Sequence, residues 1–321
     1  MHCLVVRDTD AIRGLMPLLV RTESIHGVPR QTLRFWSNSH SPRINAVVDP
    51  TRADDVFHVL TTALVDPTAP WDIAFLEPVP LEDETTRRLV TSLEQLGCPL
   101  AMEPGHSSPT LPLPLSYSEF EERLSARFRQ SLRRKRRKAH EAGLRYACEN
   151  TQKGIEHMLA VSAESWQHAA GTGIGTTDEV RRFYVDLATE YAGSGTLQIA
   201  LLYDGDVPIA FELNLLRDEC VYNLKMEYAL HAAEHSPGTV LRSFTLEEAI
   251  SSGAAEFDML GIADEHKLHW SKTLRGLGRI EIYGFGAVNL TLHALRHRLR
   301  PFLRVRAPWL LRIARIARAK I

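Results

Sequence analysis

Three apolar segments, LQIALLYD, VPIAFELNLLRD and CVYNLKMEY, follow one another between Leu197 and Tyr228 with breaks of one or two residues. Breaks that short leave no room for the crossover that parallel strands need, so the three strands must pair antiparallel. Asp204-Gly205 is a strong hairpin signal between the first two. A helix-forming stretch, SPGTVLRSFTLEEAISSG, comes next, and a short apolar strand, AEFDML, ends the run. Ser236 is a good helix-cap residue, and Pro237 suits the first helical position because its missing N–H would be unbonded there anyway. Gly238 lets a ligand approach the backbone. The N–H groups of Gly238, Thr239 and Val240 then face outward from the positive end of the helix dipole, which makes an anion site.

The 321 residues leave room for about two domains of ~150 residues each. Charge is uneven along them. Residues 1–120 carry 9 Lys/Arg against 15 Asp/Glu, and residues 121–321 carry 29 against 24. The four cysteines, Cys3, Cys98, Cys148 and Cys220, show no CxxC spacing, which fits a reduced, cytoplasmic protein better than a disulfide scaffold or a zinc site. No secretory leader and no membrane-length apolar run is visible. His26, His40 and His58 are scattered, so no metal site is expected.

In the front part, HCLVVRD, TLRFWSN, RINAVVD and WDIAFLEPV read as extended. TRADDVFHVLTTALV and LEDETTRRLVTSLEQLG read as helices with acidic caps. DAIRGLMPLLVRTES has helical spacing at Ile12, Leu15, Leu18 and Leu19. PGHSSPTLPLPLS breaks regular structure and marks a domain boundary, near residue 115.

RLSARFRQSLRRKRRKAHEAG packs eight Lys/Arg between Arg127 and Lys138, with an apolar stripe at Leu124, Phe128, Leu132 and Ala139. It is an amphipathic helix whose outer face is a solvated surface, an electrostatic surface for a polyanion, or a nucleic-acid contact. GIEHMLAVSAESWQ reads as one helix with Ile155, Leu159, Ser162 and Trp166 on one side. AAGTGIGTTD is a glycine-bearing loop with no strand leading into it and its third glycine misplaced for a dinucleotide fingerprint, and it serves as a mobile loop near a substrate. From Arg296 onward the chain holds nine Lys/Arg, and no acid follows Glu281. This basic amphipathic tail, 291–321, has three possible partners: the acidic front half, an anionic membrane surface, or RNA.

Taken together, SLRRKRRKAHEAG, the helix near Trp166, VPIAFELNL, SPGTVLRSFTLEEAISSG and FDMLGIADEHKLHW resemble the Gcn5-related N-acetyltransferase (GNAT) superfamily. More narrowly they resemble its CelD-like, BioF2-like acetyltransferase domain, a relative of the Fem aminoacyltransferases. Asp258, Gly261, Lys267 and Trp270 stand at the family spacing, with His266 where an aromatic is usual. The resemblance implies an α/β (α+β) tandem GNAT-like fold of mixed, mostly antiparallel sheets flanked by helices. It implies a degenerate GNAT-like half over 1–115 and an acyltransferase domain over 116–290. It implies an acyl-CoA donor, acetyl-CoA or another, whose pyrophosphate sits at Ser236, Gly238, Thr239 and Val240, and a small-molecule or cell-envelope amine as acceptor. A Fem-like reading replaces that donor with aminoacyl-tRNA, held by Arg127, Arg133, Arg134 and Arg137. A non-catalytic basic interaction module is the third reading.

Polar residues inside the strands suggest the catalytic groups. Glu212 and Asn214 share one face of their strand with Ala210, while Asn223, Lys225 and Glu227 oppose Tyr222, Leu224, Met226 and Tyr228. Glu212 beside Lys225 predicts a cleft lined by a charge pair. Glu212 or Asp258 is the candidate base for the attacking amine, with His266 and His269 as alternatives. Trp166, Lys225, Lys267 and Trp270 are placed on the substrate side. No Ser-His-Asp set is readable, which favours direct acyl transfer.

Overall fold

The computed structural model describes residues 2–9, 11–25, 27–38 and 40–299. His26 and the basic tail beyond residue 299 lie outside the described residues. Contacts divide the chain into two units, Met1–Ser107 with Arg275–Ile321, and Ser108–Leu274.

The first unit opens with β1 (His2–Arg7), β2 (Ile12–Ile25), β3 (Val28–Phe35) and the short β4 (Val47–Val48). It continues through α1 (Ala53–Leu64), β5 (Ile73–Pro80), α2 (Glu84–Gln95) and the first part of β6 (Leu100–Pro112). The second unit takes the rest of β6 and then α3 (Tyr117–Arg123), α4 (Ala126–Glu141), β7 (Arg145–Cys148), α5 (Gln152–Ala163), α6 (Trp166–Ala169) and α7 (Asp178–Tyr191). The meander β8 (Leu197–Asp204), β9 (Val207–Arg217) and β10 (Cys220–Tyr228) follows, then α8 (Pro237–Ser251), β11 (Glu256–Asp258) and α9 (Glu265–Leu268). The chain returns to the first unit with β12 (Leu274–Tyr283) and α10 (Ala287–His293), which continues as a π-helical turn to Leu299.

Strand order in the first unit is β1-β2-β3-β5-β12-β6, with β4 beside β2. The helices α1 and α2 bury Phe57, Leu60, Leu89 and Leu93 with Met16, Leu18 and Leu76 of the sheet. Two expectations change here. The segment with helical spacing is the long strand β2, in which Gly14, Met16 and Leu18 are buried at every second position. Of the i, i+3 apolar set only Leu18 falls on that buried alternation, while Ile12 is exposed, and Pro17 inside a helix would have cost ~3 kcal/mol. The proline-rich segment is likewise a strand, because proline's φ suits extended backbone. A side chain at Gly105 would stand 3.2 Å from the carbonyl of Leu277, so the glycine permits close passage of β12. β12 belongs to the first unit because it pairs antiparallel with β5 (Ile280 opposite Leu76, Ile282 opposite Ala74).

The second unit has the order β6-β11-β10-β9-β8-β7. β10 and β11 run parallel, and the other pairs given for this unit run antiparallel. One face packs on α5 and α7 through Met158, Tyr184, Leu201 and Phe211. The other packs on α8 and α4 through Val240, Leu241, Ala139 and Ala210. The single helix read to Trp166 ends at Ala163 instead. Ser165 accepts from the amide of His168 and starts α6, which satisfies an end that a continuous helix would not have.

Candidate active site

The two strongest sequence signals of the second unit meet in space. Arg134, Lys135 and Lys138 of α4 line a cavity of about 460 Å³ together with His235 and Ser236 at the start of α8; Glu141 and Glu234 also line it. Lys135 Nζ donates to Thr239 Oγ1 at 3.2 Å, and burial lowers the Lys135 pKa. The other cations of α4 are largely engaged. Arg133 pairs with Glu121 at 2.7 Å. Arg136 pairs with Glu247 at 2.5 Å and lies over the rings of Tyr117 and Phe244. Arg129 donates to the carbonyls of Glu121 and Glu122. Arg137 lies 3.6 Å from Glu141, and Arg127 remains exposed outside the cavity.

The start of α8 differs from its sequence reading. Ser236 sits in the left-handed region at φ 52°, and its side chain caps nothing. Its carbonyl accepts from the amides of Thr239 and Val240. Val240 therefore makes the first ordinary helical bond rather than offering a free donor, and Gly238 is the amide of the three not bonded to Ser236. Gly238 itself faces β10: a side chain there would stand 3.3 Å from Met226 Sδ and 3.5 Å from the ring of Tyr228. A side chain at this position would have to press the end of Met226 aside by a few tenths of an ångström. A left-handed non-glycine residue costs about 1–3 kcal/mol and tends to mark a functional position. Ser236 and Leu260 (φ 47°) are two of the four such residues among the described ones, and the other two, Asp218 and Glu219, form the β9–β10 turn.

Under α8 runs a buried polar seam. Arg242 donates from Nε to Glu212 Oε1 at 2.5 Å and from Nη2 to Asn223 Oδ1 at 2.7 Å. Asn223 donates to Asn214 at 2.7 Å, and Asn214 to Gln198 at 2.9 Å. Gln198 donates to Glu248 at 3.0 Å, which also accepts from Tyr146. The strand pattern assigned Glu212 and Asn214 to one face, and they do share it, but that face is closed by the helix. Glu212 is fully buried and its Oε2 has no partner. The predicted Glu212–Lys225 pair does not form. Glu212 stands opposite Met226, and the register of β10 slips between Asn223 and Lys225. That bulge turns Asn223 toward α8 and Lys225 away from it.

Lys225 instead donates to the carbonyl of Thr172 at 3.0 Å and lies 5.8 Å from the centre of the Tyr184 ring; burial lowers its pKa. Beside it, the buried Glu227, which the sequence reading assigned no role, holds the glycine loop. It accepts from Ser162 at 2.9 Å, Ser165 at 2.6 Å and the amide of Ile174 at 2.8 Å. The loop read as mobile is thus anchored by an ionisable side chain. Trp166, at the start of α6, is 46% exposed and available to a ligand, and neighbouring Gln167 donates to the carbonyl of Met226 at 3.1 Å.

Beyond β11, Asp258 accepts from the amide of Leu260 at 2.9 Å. Lys267 Nζ donates to the carbonyls of Leu260 at 2.7 Å and Ile262 at 3.3 Å. An ammonium has three donors, so one remains for another group. Burial lowers the Lys267 pKa most; Arg242 lowers it too, while Asp264 and Asp258 raise it. These causes place Lys267, Arg242 and Asp258 in one electrostatic neighbourhood. Trp270 is 9% exposed and packs against Phe120 and Phe128, so it anchors this turn from the core. His269 stacks on Phe128, and His266 is exposed.

Residues 126–268 match a family model described as an acetyltransferase (GNAT) domain. Among solved structures, the chain resembles the C-terminal domain of a putative lysylphosphatidylglycerol synthetase from Agrobacterium fabrum (TM-score 0.59, 11% identity, covering 90% of this chain and 86% of that one). It also resembles FemX (TM-score 0.58, 13% identity, 92% and 90%) and L-PGS from Bacillus licheniformis (TM-score 0.58, 12% identity, 90% and 86%). At these identities the likeness is one of fold. No curated protein matches the sequence significantly.

Proposed function

The chain carries a GNAT-type acyltransferase domain, and from that premise we propose that it moves an acyl group from an acyl-CoA to an amine. The observation that carries this reading is the cavity in which Arg134, Lys135 and Lys138 face the start of α8. Cations, a helix N-terminus and a strained serine together suit a phosphate-bearing donor, and three cations outnumber the two carboxylates that line the cavity. Lys135, Ser236 and the amide of Gly238 would hold its phosphates, with Thr239 positioning Lys135. A bound acyl-CoA would supply an activated thioester carbonyl.

On the acceptor side the amine must lose a proton. Asp258 is the favoured base, because Glu212 is committed to Arg242 beneath the helix. Lys267, with one unused donor, pairs with an anionic group of the acceptor. Trp166 lines the approach near the end of β10. Trp270 and Lys225 support this arrangement from behind, through the core and through the glycine loop.

Aminoacyl-tRNA is the second donor reading. Arg127, Arg134 and Arg137 are exposed along α4, and they extend the positive surface past the cavity, as a longer polyanion would need. The test is a melting series with CoA. Ligand at 100 times its Kd stabilises by ~2.7 kcal/mol, and Lys135→Met should remove most of the rise in Tm. If CoA gives no rise while tRNA binds with a log–log salt slope near −0.7 to −0.9 per contact, the donor is tRNA. If neither binds, the cavity is not a donor site.

A further inference from the structure

The last described helical stretch of the first unit, α10 and its π-helical continuation, has its polarity turned inside out. Asn289, His293, Arg296 and His297 face the protein, while Thr291 is exposed. Asn289 is 7% exposed, and His293 Nε2 lies 3.2 Å from the carbonyl of Leu100. Arg296 pairs with the buried Glu281 at 2.8 Å, and His297 lies 3.0 Å from Glu281 and 3.2 Å from Glu103. Leu292 adds an apolar contact on that side. Large apolar residues face solvent: Phe285, Val288, Leu295 and Leu299 are 46, 54, 45 and 45% exposed. A surface helix in water does the reverse, so this face needs a cover.

We propose that it docks on the surface of an anionic lipid bilayer. The charge of the sequence that follows chooses this occupant. From Arg296 to Ile321 there are nine Lys/Arg and no Asp or Glu, with Phe302, Trp309, Leu310 and Leu311 between them. Aliphatic and aromatic side chains mixed with cations match the acyl boundary and the anionic headgroups of a membrane surface. A second copy would bring two cationic segments together. The front unit's own acids are largely taken: Arg13 holds Asp8 and Asp49, Arg34 holds Glu23 and Glu77, and Arg88 holds Asp54 and Glu84. RNA offers phosphates but nothing for four exposed apolar side chains.

The experiment is co-sedimentation of the full chain with vesicles of phosphatidylcholine, alone or mixed with phosphatidylglycerol. Binding to the mixed vesicles is expected, and it should weaken as salt rises. Leu295→Asp should weaken it at least tenfold at unchanged Tm, and Arg304→Gln about fivefold, the worth of one cation near such a surface. The proposal fails if the mixed vesicles do not sediment the chain at low salt. It fails equally if Leu295→Asp binds them like the parent, or if that change abolishes a dimer while the parent ignores lipid. Retention by tRNA that Leu295→Asp leaves intact, without vesicle binding, would assign the tail to nucleic acid instead.

Discussion

Replacing Arg242 by methionine should be the most damaging single change in the second unit. Glu212 is wholly buried, Arg242 is 4% exposed, and their closest atoms are 2.5 Å apart. Removing one partner of a buried ion pair leaves an uncompensated charge and costs about 3–5 kcal/mol. That is a large share of the ~5–15 kcal/mol that holds a typical domain folded. Arg242→Met also strips Asn223 Oδ1 of its donor. Glu212→Met should cost a similar amount, since it strands the guanidinium. The double variant removes both charges and leaves mainly the Asn223 acceptor unpaired, a loss of roughly 1–3 kcal/mol. The coupling between the sites should therefore be several kcal/mol. Urea unfolding followed by tryptophan fluorescence reads it, with Trp166 and Trp270 reporting on this unit. Losses below about 1 kcal/mol for either single variant, or simple additivity in the double, would refute the reasoning. Either result would free Glu212 for a catalytic role.

Three further outcomes follow from the same geometry. Asp258→Asn should leave CoA binding intact and lower turnover by ~10²-fold or more if Asp258 is the base, while Lys267→Met should mainly raise the acceptor's KM; steady-state kinetics separates the two. Trp270→Ala empties the space beside Phe120 and Phe128 and should cost ~3–5 kcal/mol, read as a fall in Tm. Alkaline stability should decline from about pH 9. Burial raises the Cys98 thiol to about 11 from an ordinary 9.0, so its contribution is full below pH 9 and is lost as pH rises toward 11. Burial also raises Tyr117, Tyr146, Tyr184, Tyr203 and Tyr283, which add to the loss above pH 10. The lowered Lys135, Lys225 and Lys267 act the other way, but the six raised groups outnumber them: a Tm unchanged up to pH 11 would contradict this.

The meander β8–β10, the helix α8 and the amphipathic α4 were all legible in the sequence. Each is defined by a local period, a short turn or a terminal proline, and such signals act within a few residues. The placement of Glu212 and Asn214 on one strand face was legible for the same reason. What covers that face was not, because Arg242 lies 30 positions away and reaches Glu212 only after α8 crosses the sheet. The β10 bulge was equally hidden: a slip of one residue at Leu224 moves Lys225 and Glu227 to the opposite side from Asn223, and no residue type announces it. In β2 and β6 local signals were misleading, since a helical spacing and a run of prolines gave way to pairing with distant strands. Sequence alone determined the meander, the helices α4 and α8 and which residues carry charge. Tertiary structure decided which of those charges are consumed inside the protein and which stay available, because burial and pairing depend on neighbours that the chain supplies from far along its length.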